Sequence, residues 1–403
     1  MTATDSTVEA GGECTLLPLH RVEFAALGPP RRSALPNGTP IWLVTRYADV
    51  RQVLTDTRFK RSLLHAPDAP SLTRTPNLLN DPNAVFNKDD DDHLRLRRTL
   101  QRVFTPSGVR RMRPWICDVV DRTLDDLVAA GPPADLVAGY TLSLPLAVMC
   151  RLLGVEGLQS ARVRHWIEHA FADTTRGADE VAAVMADMSH FAAGLVAERR
   201  RAPGEDLVST LVQAADEDGG LAEPQLVNLV IALMVGGQDT TMTMLGNCLL
   251  YLLVERPETW ARLGGDEAAA ELLTVRLLHL IPLGDTDERT GMLRRAAEDV
   301  ELSGVTIRAG EVVAANDAAN RDPAAFPGDP FRDLFSPLES PTLAFGAGQH
   351  FCLGTWLAHT EVQLALHRLA ARLPGLHLTV APEAVEWRRG TITRSPLHLP
   401  AAW

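Results

Sequence analysis

From Ser107 to about Leu263, apolar residues recur three and four positions apart, the period of helices that bury one face. The pattern breaks at Gly131-Pro132-Pro133, Gly154, Gly204 and Gly219-Gly220, so it predicts an α-rich body of several helices joined by turns. Within it, the run Leu221 to Val254 is long and mostly apolar, carries Glu223-Pro224 in its first turn, and is interrupted by Gly236-Gly237-Gln238-Asp239-Thr240-Thr241. This predicts a long central helix with a polar defect. Upstream, Thr39 to Val50 is β-branched and aromatic before turning helical, a short strand entering a helix. After Pro282 the segment AEDVELSGVTIRAGEVVAAN reads as hairpin strands divided by glycines, and a strand-like ending runs from His377 to the C-terminus. No repeat and no long linker divides the chain. The expectation is a flexible stretch over residues 1–17, then a single unit over residues 18–403, mainly α with small peripheral β-sheets.

Composition narrows the function classes. The 403 residues are 46% hydrophobic and 22% charged, the balance of an ordinary globular protein long enough to bury a cofactor. A net charge of −12 disfavours a nucleic-acid binder, which needs a basic field. The N-terminus has no basic start followed by an apolar stretch, and no segment reads as apolar enough to span a bilayer, so no membrane association and a cytoplasmic location are expected. Five cysteines, Cys14, Cys117, Cys150, Cys248 and Cys352, are widely spaced without a C-x-x-C pair, which argues against disulfides or zinc. Cys117, Cys150 and Cys248 sit in apolar helical stretches and read as buried small hydrophobes.

Cys352 stands apart. In Leu343-Ala-Phe-Gly-Ala-Gly-Gln-His-Phe-Cys-Leu-Gly354 it follows a glycine-rich loop and precedes a helical stretch, Thr355 to Leu373. Free N–H groups and the helix dipole at such a position favour a thiolate and lower its pKa. The glycines let backbone approach a flat ligand. A free cysteine in a glycine-rich turn is the plain alternative. The spacing, however, resembles the haem loop of the cytochrome P450 superfamily, F-G-x-G-x-H-x-C-x-G, at Phe345, Gly346, Gly348, His350, Cys352 and Gly354. The resemblance implies that Cys352 is the axial thiolate ligand of the iron of haem b, that Phe345 packs beside the sulfur, and that His350 reaches a propionate.

Two further stretches resemble the same family. Gly236-Gly237-Gln238-Asp239-Thr240 matches its oxygen-activation motif, [A/G]-G-x-[D/E]-T, in which an acid–alcohol pair relays protons to O2. A mid-helix Gly-Gly costs about 2 kcal/mol relative to alanines, so room for a ligand is a reason for it. His93 and Arg97 match the H-x-x-x-R pattern; four apart, they share a helix face and suit two donors gripping propionate oxygens. Arg294 falls where the family has another propionate-binding arginine. Arg98, Arg102, Arg110, Arg111 and Arg113 form either a docking face for an acidic ferredoxin or a solvated helix face.

One region departs from the pattern. The family usually carries Glu-x-x-Arg before the hairpin sheet and a partner arginine in a later loop. Counting back from Ile281-Pro282-Leu283-Gly284, those positions hold Arg276 and His279; the other register, Glu271-Leu-Leu-Thr274, lacks the arginine, and Arg332 is displaced by a residue. A replacement lock is expected, pairing Arg276 with Glu271 or an aspartate of the 329–333 loop. An extra stretch, Asp285 to Arg289, lengthens a loop or is a solvated insertion.

The resemblance implies a P450 fold and a monooxygenase or oxidative coupling enzyme that uses O2 and two electrons from ferredoxin and its NAD(P)H-dependent reductase. A haem-fold scaffold and a peroxide-using or dehydrating haem enzyme are the competing readings. The expected catalytic residues are Asp239 and Thr240. The expected pocket includes Met234, Val235, Gly236 and Leu283, with the 63–86 and 171–184 segments. These mostly apolar residues point to a hydrophobic small molecule, a secondary-metabolite intermediate either free or carrier-protein-bound, acted on by a monomer.

Overall fold

The computed structural model describes residues 24–73, 77–101, 103–155, 158, 160–172, 176–217, 221–284 and 290–403. The expected flexible start over residues 1–17, Arg102, the break at Gly219-Gly220 and the extra stretch 285–289 lie outside the described residues. Helices dominate: α1 (Tyr47–Thr55), α2 (Asp90–Gln101), α3 (Pro106–Ala130), α4 (Ser143–Leu153), α5 (Ser160–Ala170), α6 (Ala178–Arg201), α7 (Leu207–Glu217), α8 (Glu223–Val254), α9 (Pro257–Gly265), α10 (Glu267–Leu280) and α11 (Thr355–Arg372). Their ends follow local chemistry. The Thr105 hydroxyl caps α3 by accepting from the Gly108 N–H, and Pro106 fits its first turn. Gly131 closes α3 at φ 73°, and Gly154 closes α4 in the left-handed region at φ 68°.

The strands are β1 (Arg31–Ala34), β2 (Pro40–Val44), β3 (Phe59–Lys60), β4 (Ala134–Asp135), β5 (Met292–Ala296), β6 (Val300–Leu302), β7 (Val305–Ile307), β8 (Val312–Ala315), β9 (His377–Leu378) and β10 (Pro400–Ala402). They form peripheral sheets ordered β1-β2-β8-β5-β3, β4-β10-β9 and β6-β7. β2 runs parallel to β8, and β5 pairs antiparallel with β8, which sets Arg294 opposite Val313. The mainly α architecture with small sheets is therefore as expected.

The core lies around α8, which is buried on nearly every side from Leu226 to Leu252, and α11, which packs on α3, α8, α9 and α10. Three expectations need correction. α8 is not interrupted at Gly236-Gly237: it runs continuously from Glu223 to Val254, because burial on all sides outweighs the glycine penalty. α6 does reach the length and mean hydropathy to cross a membrane, the one such helix among the described residues; it packs against α5, α7 and α8. The third concerns Arg276, which is 3% exposed on α10. Neither Glu271, which is exposed, nor the 329–333 aspartates meet it. It donates to the carbonyls of Ser336 and Pro337 at 3.1 and 2.8 Å and to Ser336 Oγ at 2.7 Å, with Glu339 at 3.8 Å. Glu271 points outward because the inward face of α10 is the one bearing Leu273, Arg276, Leu277 and Leu280.

Candidate active site

α8 and the start of α11 face each other across a cavity of about 490 Å³. Cys352 sits on one wall, at the end of a loop whose shape needs glycine. Gly346 and Gly348 adopt φ 71° and 68°, and a Cβ on Gly348 would fall 2.6 Å from the Leu54 carbonyl oxygen. The Cys352 N–H donates to the Phe345 carbonyl at 2.8 Å, and Gly354 opens α11 directly after. The sulfur-bearing residue is exposed, but to the cavity that it lines. Its thiol departs from the expected depression. Burial pushes it up, against the N–H groups of Gly354 and Thr355 and the positive charge of Arg97. The peptide surroundings alone do not ionise this sulfur, whereas a coordinated metal cation does so outright.

At one edge of the cavity lie His93, Arg97, Arg294 and His350, together with Arg61. His93 and His350 stack at 4.3 Å, and His350 Nε2 donates to Asp89 Oδ1 at 2.9 Å. Although burial opposes it, hydrogen bonds from His350 and Ser62 hold the Asp89 carboxyl well below the usual carboxylate range. Arg97 donates to the carbonyl of Phe351, the residue before Cys352, at 2.6 Å. Arg294 is 3% exposed, and burial pulls it down to about 9; Arg61 is pulled to about 10. Among the described residues no carboxylate pairs with Arg294, and His93 Nδ1 is buried without a hydrogen-bond partner. A buried guanidinium beside an orphaned imidazole nitrogen calls for an anion. The carboxylates of a haem meet that need, and the thiol below offers its iron a ligand, so the residues fit this cofactor.

The opposite wall is α8. Leu229, Ala232, Leu233, Gly236, Gly237, Thr240, Thr241 and Met244 line the cavity, spaced three and four apart. Met234 and Val235, expected in the pocket, are buried in the core instead, because the helical period turns them away from the stripe that Gly236 and Thr240 occupy. Gly236 and Leu283 do line the cavity, as do Val85, Phe86, Ile281 and Pro282. A Cβ at Gly236 or Gly237 meets nothing within 4 Å, so the glycine pair leaves open space there.

Asp239 and Thr240 point to different places. The Thr240 hydroxyl donates to the Gly236 carbonyl at 2.6 Å on the cavity side. Asp239 is fully buried behind it, ion-paired with Arg388 at 2.7 Å and accepting from the Thr393 hydroxyl at 2.8 Å. Burial raises its pKa, against the Arg388 charge and the Thr393 bond. Both partners belong to a C-terminal hairpin bridged at Trp387–Pro396, which also meets the end of α5 through the Ile392 N–H to Phe171 carbonyl bond. A second acid, Glu361 of α11, lines the cavity with its Oε2 buried and without a partner among the described residues, and burial pushes its carboxyl well up.

Sequence reasoning missed Arg61, Asp89, Arg388, Thr393 and Glu361. Asp89 heads an acidic run that reads as solvated, and Arg388 lies nearly 150 positions along the chain from its partner Asp239. No local signal marks either. Glu361 does carry one, since it lies nine positions after Cys352, in the helix that follows it.

A mainly helical chain with a loop-borne cysteine facing a glycine-lined helix across a cation-edged cavity has the layout of a haem-thiolate oxygenase. Comparison with known proteins makes the family definite. The Cytochrome P450 family model matches residues 288–373. Nocardicin C N-oxygenase of Nocardia uniformis subsp. tsuyamanensis is 40% identical over 100% of both chains. Mycinamicin IV hydroxylase/epoxidase of Micromonospora griseorubida is 39% identical over 94% of both. The crystal structure of HinD with NMFT and NO superposes with a TM-score of 0.86 at 40% identity, covering 93% of each chain. The chain belongs to the cytochrome P450 family. It is an oxidoreductase of the bacterial, monooxygenase type.

Proposed function

We propose that this enzyme oxidises a hydrophobic secondary-metabolite intermediate, with Cys352 as the iron ligand and Thr240 and Asp239 as the proton-handling pair. The observation that carries the reading is the placement of Cys352 and the Thr240 hydroxyl on opposite walls of one apolar cavity. When bound there, haem supplies activation of O2 with two electrons. The protein's residues do the rest. His93, Arg97, Arg294 and His350 hold the propionates, Asp89 orients His350, and Phe345 shields the sulfur. Thr240 presents a hydroxyl to the cavity, and Asp239, whose raised pKa lets it carry a proton nearer neutrality, stands one residue away. Leu229, Leu233, Phe86, Ile281 and Leu283 exclude water and give an apolar wall, suited to a medium-sized hydrophobic substrate. Exposed Arg98, Arg110 and Arg111 offer a basic face on an acidic protein for a ferredoxin that delivers the electrons.

By their names, relatives oxidise small molecules, as nocardicin C N-oxygenase and mycinamicin IV hydroxylase/epoxidase, and one solved neighbour has biaryl coupling reactivity. That supports a tailoring role here. The reduced, carbon monoxide-bound protein is expected to give the strongly red-shifted Soret band of thiolate ligation; a haem-loaded protein without it sinks the assignment. Difference spectra against a panel of secondary metabolites then find the substrate. With that substrate, Thr240→Ala is expected to keep the band yet uncouple electron use from product by tenfold or more. Unchanged coupling removes Thr240 from proton handling.

A further inference from the structure

α10 reaches the loop that leads to Cys352 through two side chains three residues apart. Arg276 presents one terminal nitrogen to the Ser336 and Pro337 carbonyls and the Ser336 hydroxyl, with Glu339 beyond. His279 sets its Nδ1 3.1 Å from the Thr342 hydroxyl oxygen, which itself accepts from the Ala344 N–H at 3.1 Å. Both are 3% exposed. With its imidazole neutral, kept so by burial and by the charges of Arg276 and Arg321, His279 accepts the Thr342 proton. The contacts therefore run from Ser336 to Ala344, one residue short of Phe345, whose carbonyl accepts from the Cys352 N–H.

We propose that Arg276 and His279 are positioning residues: a clamp on α10, one cation and one neutral imidazole, that grips backbone carbonyls and a hydroxyl of the 336–344 loop and thereby sets where Cys352 stands. The chemistry is directional. The loop turns lone pairs toward α10, so the helix must offer donors at position 276, and a carboxylate there would face three oxygens of its own kind. The guanidinium meets all three oxygens with one terminal nitrogen and turns the other toward Glu339 at 3.8 Å, a fork that the single ammonium of lysine does not reproduce. Removing it takes this donor from the Ser336 and Pro337 carbonyls, and the loop is free to carry Phe345 and Cys352 out of register. The inference rests on the reading of Cys352 as the iron ligand.

The test follows the thiolate signature in the haem-loaded protein and the rate at which haem passes to an excess of an apo-globin scavenger. Arg276→Met is expected to lower the red-shifted fraction of the carbon monoxide-bound spectrum at least fivefold and speed haem loss about tenfold. Arg276→Lys is expected to restore part of both. If Arg276→Met does not accumulate folded, Thr342→Val, which leaves α10 untouched, decides: a twofold or greater drop in the red-shifted fraction supports the clamp. Wild-type band fraction and haem-loss rate in Arg276→Met, or in Thr342→Val where that variant decides, overturn it. Failure of the wild type itself to show the band sinks the Cys352 reading instead, so the two failures are distinct.

Discussion

Asp239 is the residue whose surroundings say most about how the site handles protons. It is fully buried, yet it faces Arg388 at 2.7 Å and Thr393 at 2.8 Å rather than the cavity. A carboxylate there balances the guanidinium, and its loss leaves that charge buried without a partner. Asp239→Asn keeps shape and the Thr393 bond but cannot carry the proton. The expected outcome is a turnover number lowered by tenfold or more, with substrate affinity by difference spectra unchanged and the solvent deuterium isotope effect enlarged. Equal turnover in the variant removes Asp239 from the reaction. The motif Gly-Gly-Gln-Asp-Thr made Asp239 and Thr240 legible as a pair, but not that they look in opposite directions. That depends on a hairpin near residue 390 folding back on α8, and no local pattern encodes so distant a contact. Asp89 was hidden for a related reason: three following aspartates suggest water, whereas it is itself buried against Ser62 and His350.

At the scale of an element, α8 shows what a hydrophobic pattern reveals and what it blurs. Its length was legible because apolar residues run almost unbroken from Leu226 to Leu252. A helix apolar all round carries no moment to say which stripe faces a ligand, so Met234 and Val235 looked as suitable as Leu233 and Gly236. The period settles the phase once Thr240 is fixed on the cavity. The glycine pair looked like a break because its propensity cost was weighed without the packing that overrides it. Both points meet in one variant. An alanine methyl at Gly236 finds nothing within 4 Å, and α8 is continuous there. Gly236→Ala should therefore raise stability by about 0.5–1 kcal/mol through helix propensity. The methyl also enters the cavity, so bulky ligands should bind at least threefold more weakly while small ones are unaffected. Thermal melting without substrate and difference spectra with a size-graded ligand series measure the two effects. A lower melting midpoint would show that the glycine serves backbone geometry rather than space.

Across the whole molecule, acid is expected to weaken the fold through histidines held neutral inside it. His279 and His93 are 3% and 2% exposed, and in both burial lowers the pKa to about 4, helped by nearby arginines. An unfolded chain protonates these imidazoles near 6.5, so between about 6.5 and 4 it binds more protons than the native state. Stability from such a group is complete above the unfolded value and is lost as pH falls toward the folded one. Each group then removes on the order of 1 kcal/mol per pH unit in that window. His93 lies where haem carboxylates are expected, and an anion there would shift its titration. His279 lies behind the cavity against Arg276, Thr342 and Phe326, so the slope from it should survive in the loaded enzyme. The melting midpoint is expected to fall steadily from pH 7 to pH 4.5 in the wild type. In His279→Gln, which keeps an acceptor for the Thr342 hydroxyl but does not titrate, the fall should be shallower by that one-proton slope, even if the variant starts less stable. Parallel curves for the two proteins would mean that burial does not lower the His279 pKa in the native state, and would remove it as a source of the acid sensitivity.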